Sequence, residues 1–278
     1  IPFRKDFMGK VRKMLAVLLA VVVLAVFYAR CVEPDMLVVK EITVETDKDV
    51  GECKIVFFSD THFGCLYDQK HVEEIVDTIN GRKADIVVFG GDLLDDYSRD
   101  REILDLDYLR RQLGRIEAGE AKYAVFGNHD YGGGAARVYR KLMEESGFRL
   151  LVDETDVLEK YNIEVIGFDD YLFGATDSAF YHIPNDRFHL VIMHEPVVSK
   201  RMEAKGDNFA LSGHTHGGQV SVPYLTEALL PKGADRFVKG LYQEPVRMYV
   251  SSWIGLTRYP FRLFNVPEII EIRVVKRK

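Results

Sequence analysis

The chain has 278 residues, of which 47% are hydrophobic and 29% charged, and its formal net charge is −6 at pH 7. This composition excludes a disordered class and is typical of one large globular domain with a substantial core. The acidic balance, with basic residues clustered only at the N-terminus, argues against nucleic acid as a partner. The three cysteines, Cys31, Cys53 and Cys65, have neither a disulfide-framework pattern nor zinc-site spacing.

The first predicted element is an uncharged apolar segment, MLAVLLAVVVLAVFYA, at residues 14–29. As a helix it would extend about 24 Å, and flanking basic side chains extend its reach toward the roughly 30 Å hydrocarbon core of a bilayer. We therefore predict a single-pass membrane anchor, with a cleaved secretory signal and a buried core helix as alternatives. Five basic residues and one acidic residue precede the segment. The positive-inside rule then places residues 1–35 as cytoplasmic tail and cell-membrane anchor, and residues 36–278 as an extracytoplasmic domain.

Strand-like and helical patterns alternate after this segment. Strands are predicted at 36–45, 53–60, 85–92 and 121–130, and helices at 71–80, 100–117 and 137–146. Further strand patterns then follow one another at 157–168, 189–195, 208–214, 246–252 and 268–275. Early alternation and later crowding of strands predict an α/β protein with more than one sheet.

Polar side chains follow five of these strands at the point where each strand ends. They are Asp60, His62, Asp92, Asn128, His129, Asp130, His194, His214 and His216. The carboxyl ends of strands line the ligand crevice in open α/β sheets, so we expect these side chains to meet. A single aspartate in such a position is usually a cap or turn residue. Five of the eight histidines lie in these clusters, however, which favours a shared site.

The residue types indicate metal binding. Carboxylate, amide and imidazole groups are ligands for Mn, Fe, Zn or Mg, and the absence of thiolates from the clusters argues against a structural zinc site. Seven such donors, more than one ion needs, are present: Asp60, His62, Asp92, Asn128, His194, His214 and His216. A shared carboxylate would let them serve two ions about 3.5–4 Å apart, an arrangement that suits in-line attack on a phosphoryl group.

In their order and spacing, these motifs resemble the calcineurin-like metallophosphoesterase family. The motifs are Asp60-x-His62, Gly91-Asp92, Gly127-Asn128-His129-Asp130, His194 and Gly213-His214-x-His216. The Gly-His-x-His-Gly-Gly-Gln form at 213–219 is similar to that of its membrane-associated bacterial phosphoesterases. The resemblance covers about residues 50–275. It implies a four-layer α/β/β/α sandwich behind the N-terminal transmembrane helix.

The resemblance also implies roles for individual residues. One metal would be held by Asp60, His62 and His216, a second by Asn128, His194 and His214, and Asp92 would bridge the two. His129 would stand by the scissile phosphate without binding metal and would assist the leaving group. Asp130 would orient the His129 ring.

The predicted function is a membrane-anchored phosphodiesterase-type hydrolase with two divalent ions and a metal-bridging hydroxide. Its substrate is a phosphoester, with lipid-linked phosphoesters as one option, and a monomer is favoured. In the aromatic segment 251–268, Arg258 and Arg262 are candidates to bind a second phosphate or a head group. The alternative is that this segment packs in the core before the last strand. Two alternative functions are a UDP-diacylglucosamine-type pyrophosphatase and a tethered binding protein without turnover.

Overall fold

The computed structural model describes residues 2–176, 182–184, 186–204, 207–222, 226–227 and 230–277. Helix α1 (Pro2–Cys31) comes first, and its large apolar side chains between Met14 and Phe27 are exposed. Within the described ranges, the segment Phe7–Asp35 is the one helix long and apolar enough to cross a membrane. This exposure is consistent with a single-pass anchor or a signal sequence, and the alternative of a buried core helix is wrong.

Fourteen strands and five further α-helices follow within the described ranges, besides short 3-10 helices. The strands are β1 (Val38–Thr46), β2 (Cys53–Phe58), β3 (Ile86–Phe89), β4 (Ala121–Ala124), β5 (Arg149–Leu150), β6 (Glu154–Leu158), β7 (Ile163–Gly167), β8 (His182–Ile183), β9 (Phe188–Ile192), β10 (Glu203–Ala204), β11 (Asn208–Ser212), β12 (Gly240–Tyr242), β13 (Met248–Val250) and β14 (Glu268–Lys276). The helices are α2 (Val72–Arg82), α3 (Tyr97–Asp100), α4 (Leu106–Gly114), α5 (Asn128–Gly132) and α6 (Ala136–Glu145).

Two six-stranded sheets form the body of the domain. The first has the order β1-β14-β2-β3-β4-β5, and the second β12-β13-β11-β9-β7-β6. The neighbours β2, β3 and β4 run parallel, as do β9 and β11 in the second sheet. The predicted α/β architecture with more than one sheet is therefore confirmed.

The period-two alternation of the buried strands explains how the sheets stack. In β2, Ile55 and Phe57 pack into the core between the two sheets, whereas Val56 and Phe58 pack on the outer face beneath α2, α4 and α6. The other sheet is covered on its outer face by Phe168, Phe237 and their neighbours rather than by long helices in the described ranges. A short 3-10 helix at Pro196–Lys200 adds to this covering layer.

The segment predicted as one strand at 157–168 has a different form. It contains the end of β6, a turn and all of β7, which pair antiparallel. Asn162 in the turn has a φ of 52°, in the left-handed region that asparagine tolerates better than most residues. The hairpin places β7 beside β9 and leaves the polar strand β6 at the edge of the second sheet.

Parallel strands bring the predicted site residues to one edge of the domain. Five of these residues adopt left-handed backbone conformations, with φ between 44° and 69°: Asp60, His62, Asp92, His214 and His216. Such conformations cost of order 1–3 kcal/mol each for residues other than glycine and cluster at functional sites. The strand ends therefore hold strained backbone that aims these side chains inward.

Candidate metal centre

The first group of predicted ligands converges on one point. Nε2 of His62 lies 3.2 Å from Nε2 of His216, and Oδ1 of Asp60 lies 3.9 Å and 3.6 Å from these two nitrogens. Together with Asp92, the three residues offer ligand atoms that all lie within 4.8 Å of one another. This group is buried except for a small part of His216. Its composition of carboxylate and imidazole suits a divalent cation.

A second group surrounds the amide of Asn128. Its Oδ1 lies 2.7 Å from Nδ1 of His214 and 3.3 Å from Nε2 of His194. The far nitrogens face backbone carbonyls, with His194 Nδ1 2.7 Å from the oxygen of Gly90 and His214 Nε2 2.8 Å from that of Lys232. A carbonyl only accepts hydrogen bonds, so each far nitrogen carries the proton. The nitrogen facing Asn128 is left as a ligand, as in metal-binding histidines.

Asp92 lies between the two groups. Its Oδ1 accepts a hydrogen bond from the backbone N–H of His129 at 2.7 Å, whereas its buried Oδ2 has no hydrogen-bond partner within the described chain. That Oδ2 lies 3.5 Å from Nε2 of His62 and 3.2 Å from Nε2 of His194. An unpaired carboxylate oxygen in a buried position is costly. A cation on each side would remove that cost, so the residues present fit a metal centre.

The protonation states of two ligand histidines agree with this interpretation. Burial, together with the charge of His194, lowers the pKa of His214 to about 3, and burial with neighbouring His62 lowers the pKa of His216 well below its usual range. Both rings are therefore neutral at pH 7, which is the form that binds metal. Neighbouring carboxylates, Asp95 for His62 and Asp92 for His194, outweigh burial and raise the pKa of the other two ligand histidines, so a bound cation would have to displace a proton from each. Burial alone would raise the pKa of Asp92, but the adjacent His194 and His129 outweigh it and hold the pKa below its ordinary value.

Two motif glycines are required by close packing at the centre. A Cβ on Gly213 would collide with the carboxylate of Asp60, and one on Gly127 would collide with that of Asp92. Only glycine lets these loops approach the ligands so closely. The glycines before His214 and Asn128 thus have a steric reason.

The expectation that Asp130 orients the His129 ring is wrong. The Asp130 carboxylate accepts hydrogen bonds from the backbone N–H groups of Gly127 and Asp92, each at 2.9 Å, and of Leu93 at 3.2 Å. Asp130 stands third in α5, where a carboxylate folds back onto the free N–H groups of a helix start. Asp130 therefore fixes the backbone of two ligand loops.

Asp95 contacts the His129 ring instead. His129 Nδ1 lies 2.5 Å from the carbonyl oxygen of Asp95, and the Asp95 carboxylate lies 3.3 Å from His62 Nδ1. That carboxylate also accepts hydrogen bonds from Thr257 at 2.5 Å and Arg99 at 2.7 Å. Sequence reasoning missed Asp95, although the run Asp92-Leu-Leu-Asp95-Asp96 offered a signal.

The two predicted substrate-binding arginines differ in position. Arg258 is exposed and lines a cavity of about 370 Å³, together with His129, His216 and the aromatic residues Tyr259 and Phe261.

Arg262 is fully buried, and the expectation that it meets substrate is wrong. Its guanidinium donates to the backbone carbonyls of Asn265 at 2.6 Å, Ile254 at 2.7 Å and Ser252 at 2.9 Å. The five donors of the guanidinium suit this task of joining several carbonyls. Arg262 therefore shapes the loop that carries Arg258.

Sequence reasoning also missed a contact between the N-terminal segment and the domain. The buried carboxylate of Glu33 accepts hydrogen bonds from the backbone N–H groups of Phe264, at 3.0 Å, and Asn265. The side chain of Asn265 donates in turn to the carbonyl oxygen of His216 at 2.7 Å. Glu33 falls inside the predicted anchor segment 1–35 and yet packs against the domain.

Comparisons with known proteins show the family of the chain. The sequence model of the calcineurin-like phosphoesterase family matches residues 53–218. The uncharacterized metallophosphoesterase YkuE of Bacillus subtilis is 31% identical over 254 residues, covering 87% of each chain. The uncharacterized metallophosphoesterase Cj0846 of Campylobacter jejuni is 26% identical, covering 86% of this chain and 64% of the longer relative. The phosphodiesterase YaeI of Escherichia coli is 26% identical, covering 80% and 82%.

The two-sheet fold and the clustered ligands define a metal-dependent phosphoester hydrolase. A hydrolase of this class accounts for three features of the site: the buried metal-ligand groups, the unpaired Asp92 oxygen and the cavity beside them. The chain belongs to the calcineurin-like phosphoesterase family.

Proposed function

We propose that this chain is a membrane-anchored phosphodiesterase that holds two divalent ions. The observation that carries the proposal is the unpartnered Oδ2 of Asp92, 3.5 Å from His62 and 3.2 Å from His194. Each neighbour belongs to a separate ligand group. A carboxylate between two such groups is the bridge that a two-metal site about 3.5–4 Å across requires.

The proposed ligands divide between two ions of the class Mn, Fe, Zn or Mg. Asp60, His62 and His216 would hold one ion, Asn128, His194 and His214 would hold the other, and Asp92 would serve both. Bound ions of this kind supply Lewis-acid stabilisation of phosphoryl oxygens and lower the pKa of bound water. Because His214 and His216 are neutral, they can bind metal ions at pH 7 without losing a proton.

His129 is the proposed proton donor. Its Nδ1 is engaged by Asp95, its side chain is partly exposed, and the residue lines the cavity. With Nδ1–H donating to the Asp95 carbonyl, Nε2 carries a second proton in the imidazolium form, and that form would deliver this proton to the leaving oxygen. General-acid help of this kind is typically worth about 10²–10⁴ in rate. Asp130, although it does not touch the ring, positions Asp92 and the start of α5.

Membrane attachment is supported by the exposed apolar face of α1. The basic residues that precede the apolar segment favour an extracytoplasmic domain of about residues 36–278, with Glu33 packed against it. Arg258 in the cavity favours a substrate with a second anionic group, such as a lipid-linked phosphodiester or a UDP-diacylglucosamine-type pyrophosphate.

Hydrolysis of two model substrates tests the proposal. The full chain in detergent is stripped of metal, resupplied with Mn, Zn, Fe or Mg, and assayed with bis(p-nitrophenyl) phosphate and p-nitrophenyl phosphate. We expect metal-dependent diester turnover that Asp92→Asn abolishes and that His129→Ala lowers by about 10²–10⁴.

Asp77→Asn on the exposed side of α2 is the matched control and should behave as wild type. Binding of two ions without turnover by any metal form would contradict the enzyme and favour the tethered binding protein.

A further inference from the structure

The segment Thr257–Asn265, here called the aromatic loop, exposes three aromatic side chains. Tyr259 is 59% exposed, Phe261 37% and Phe264 67%. Tyr259 and Phe261 stack on one another, with ring centroids 5.7 Å apart. A single exposed apolar residue needs no explanation, but three within six residues mark a contact surface.

The aromatic loop is attached to the end of α1. The backbone N–H of Arg262 donates to the carbonyl oxygen of Ala29 at 2.9 Å, and Glu33 accepts from the backbone of Phe264 and Asn265. Exposed apolar side chains of α1 continue to Phe27, two residues before Ala29. At 1.5 Å per residue, the exposed apolar part of α1 ends within about 3 Å of the loop along the helix axis.

The aromatic loop is equally attached to the metal centre. Gln219, in the segment that follows His216, donates through Nε2 to the carbonyl oxygens of Tyr259 at 2.6 Å and Phe261 at 2.7 Å. Tyr259 and Phe261 also form part of the wall of the 370 Å³ cavity. One side of the cavity is therefore made of the same loop that meets the end of α1.

We propose that the aromatic loop docks onto the lipid bilayer, so that the mouth of the cavity faces the lipid head groups. The inference rests on the proposed role of α1 as an anchor, and its consequence for substrate rests on the proposed phosphodiesterase. Aromatic side chains are favoured at the boundary between head groups and acyl chains. The loop provides three of them at the level where the apolar part of α1 ends.

Docking narrows the substrate to phosphodiesters that reside in the membrane surface. Arg258 is exposed in the cavity wall beside Tyr259, where its guanidinium suits the phosphate of a head group. A lipid would then reach the metal centre without leaving the bilayer. The catalytic domain and the anchor would act as one unit, with the loop as their shared contact.

Fluorescence quenching tests the docking directly. The full chain is reconstituted into phosphatidylcholine and phosphatidylglycerol vesicles with or without lipids brominated on their acyl chains. Tryptophan is introduced as Phe264→Trp and, separately, as Tyr259→Trp. The matched control is Val157→Trp, on the edge strand β6 of the second sheet. The signal of the native Trp253, which is buried, is subtracted from all.

We expect brominated lipid to quench the tryptophan introduced at either loop position and to leave the control variant unchanged. Equal quenching of loop and control variants, or none in either, would overturn the docking. Thermal melting verifies that each variant is folded. If both loop variants unfold, Phe264→Asn supplies a second readout, because asparagine tolerates the φ of 58° at this position.

The Phe264→Asn variant is expected to lose hydrolysis of a vesicle-borne phosphodiester while keeping that of bis(p-nitrophenyl) phosphate. Equal rates with wild type on both substrates would overturn the docking. Quenching without any turnover would uphold the docking and refute the phosphodiesterase. Turnover of the soluble diester without quenching would do the reverse.

Discussion

Replacing Glu33 with alanine tests whether the end of the N-terminal helix is part of the catalytic domain. The substitution removes the acceptor of two backbone N–H groups, those of Phe264 and Asn265. A buried donor left without a partner costs about 1–3 kcal/mol, and this cost applies to the Asn265 N–H, whereas the Phe264 N–H is only partly buried and can bond to water. We therefore expect a loss of about 1–3 kcal/mol in unfolding free energy, and at about 2–4 °C per kcal/mol Tm should fall by about 2 °C or more.

The same substitution should weaken the metal centre. Asn265 holds the carbonyl oxygen of His216, so a displaced Asn265 backbone loosens one ligand of the first group. The assay is thermal unfolding of the full chain in detergent, combined with metal content by mass spectrometry. Glu33→Gln keeps one acceptor oxygen and should lose about half as much stability. The matched control is Glu52→Ala, which alters an exposed carboxylate. A Glu33→Ala protein with wild-type Tm and metal content would refute the reasoning.

Two further predictions concern single side chains. Arg262→Met should lower the unfolding free energy by several kcal/mol, since each buried carbonyl left unpaired costs about 1–3 kcal/mol, whereas Arg258→Ala should change it by less than about 0.5 kcal/mol and raise KM. Thermal melts and kinetics check this, and equal melting of the two variants would contradict it. Burial raises the pKa of Cys53 to about 12, so its thiolate fraction at pH 8 is about 10⁻⁴. A thiol reagent should modify exposed Cys31 and Cys65 but reach Cys53 only after denaturation, and rapid labelling of three thiols in the folded chain would refute this.

Local patterns predicted most of the side chains that the structure brings together at the site, but they missed Asp95 and wrongly included Arg262. The buried strand β3 is apolar throughout and β2 is apolar except for Lys54, and Asp60 and Asp92 follow where these apolar sequences stop. Parallel pairing then carries these ends to one edge. The helix predicted at 100–117 is shorter in the structure, where α4 covers Leu106–Gly114. Asp105 caps its start by accepting from the backbone of Tyr108, a local signal that the charge pattern masked.

Contacts between distant segments could not be predicted. Glu33 and Phe264 are 231 positions apart, and nothing in either sequence neighbourhood indicates their contact. Arg262 is chemically suited to phosphate, yet it is buried among backbone carbonyls because the surrounding loop needs its donors. The partner of Asp130 differs from the expected one for a related reason, since adjacency to His129 in sequence does not bring the two side chains together within α5.

The most direct test of the dinuclear centre is anomalous X-ray scattering from crystals of the full chain soaked with Mn²⁺. A dinuclear centre predicts two peaks, one beside His62 and His216 and one beside His194 and His214, with Asp92 Oδ2 between them. A separation of about 3.5–4 Å is expected for two ions that share a carboxylate. A single peak, or two peaks that Asp92 does not join, would contradict the dinuclear centre.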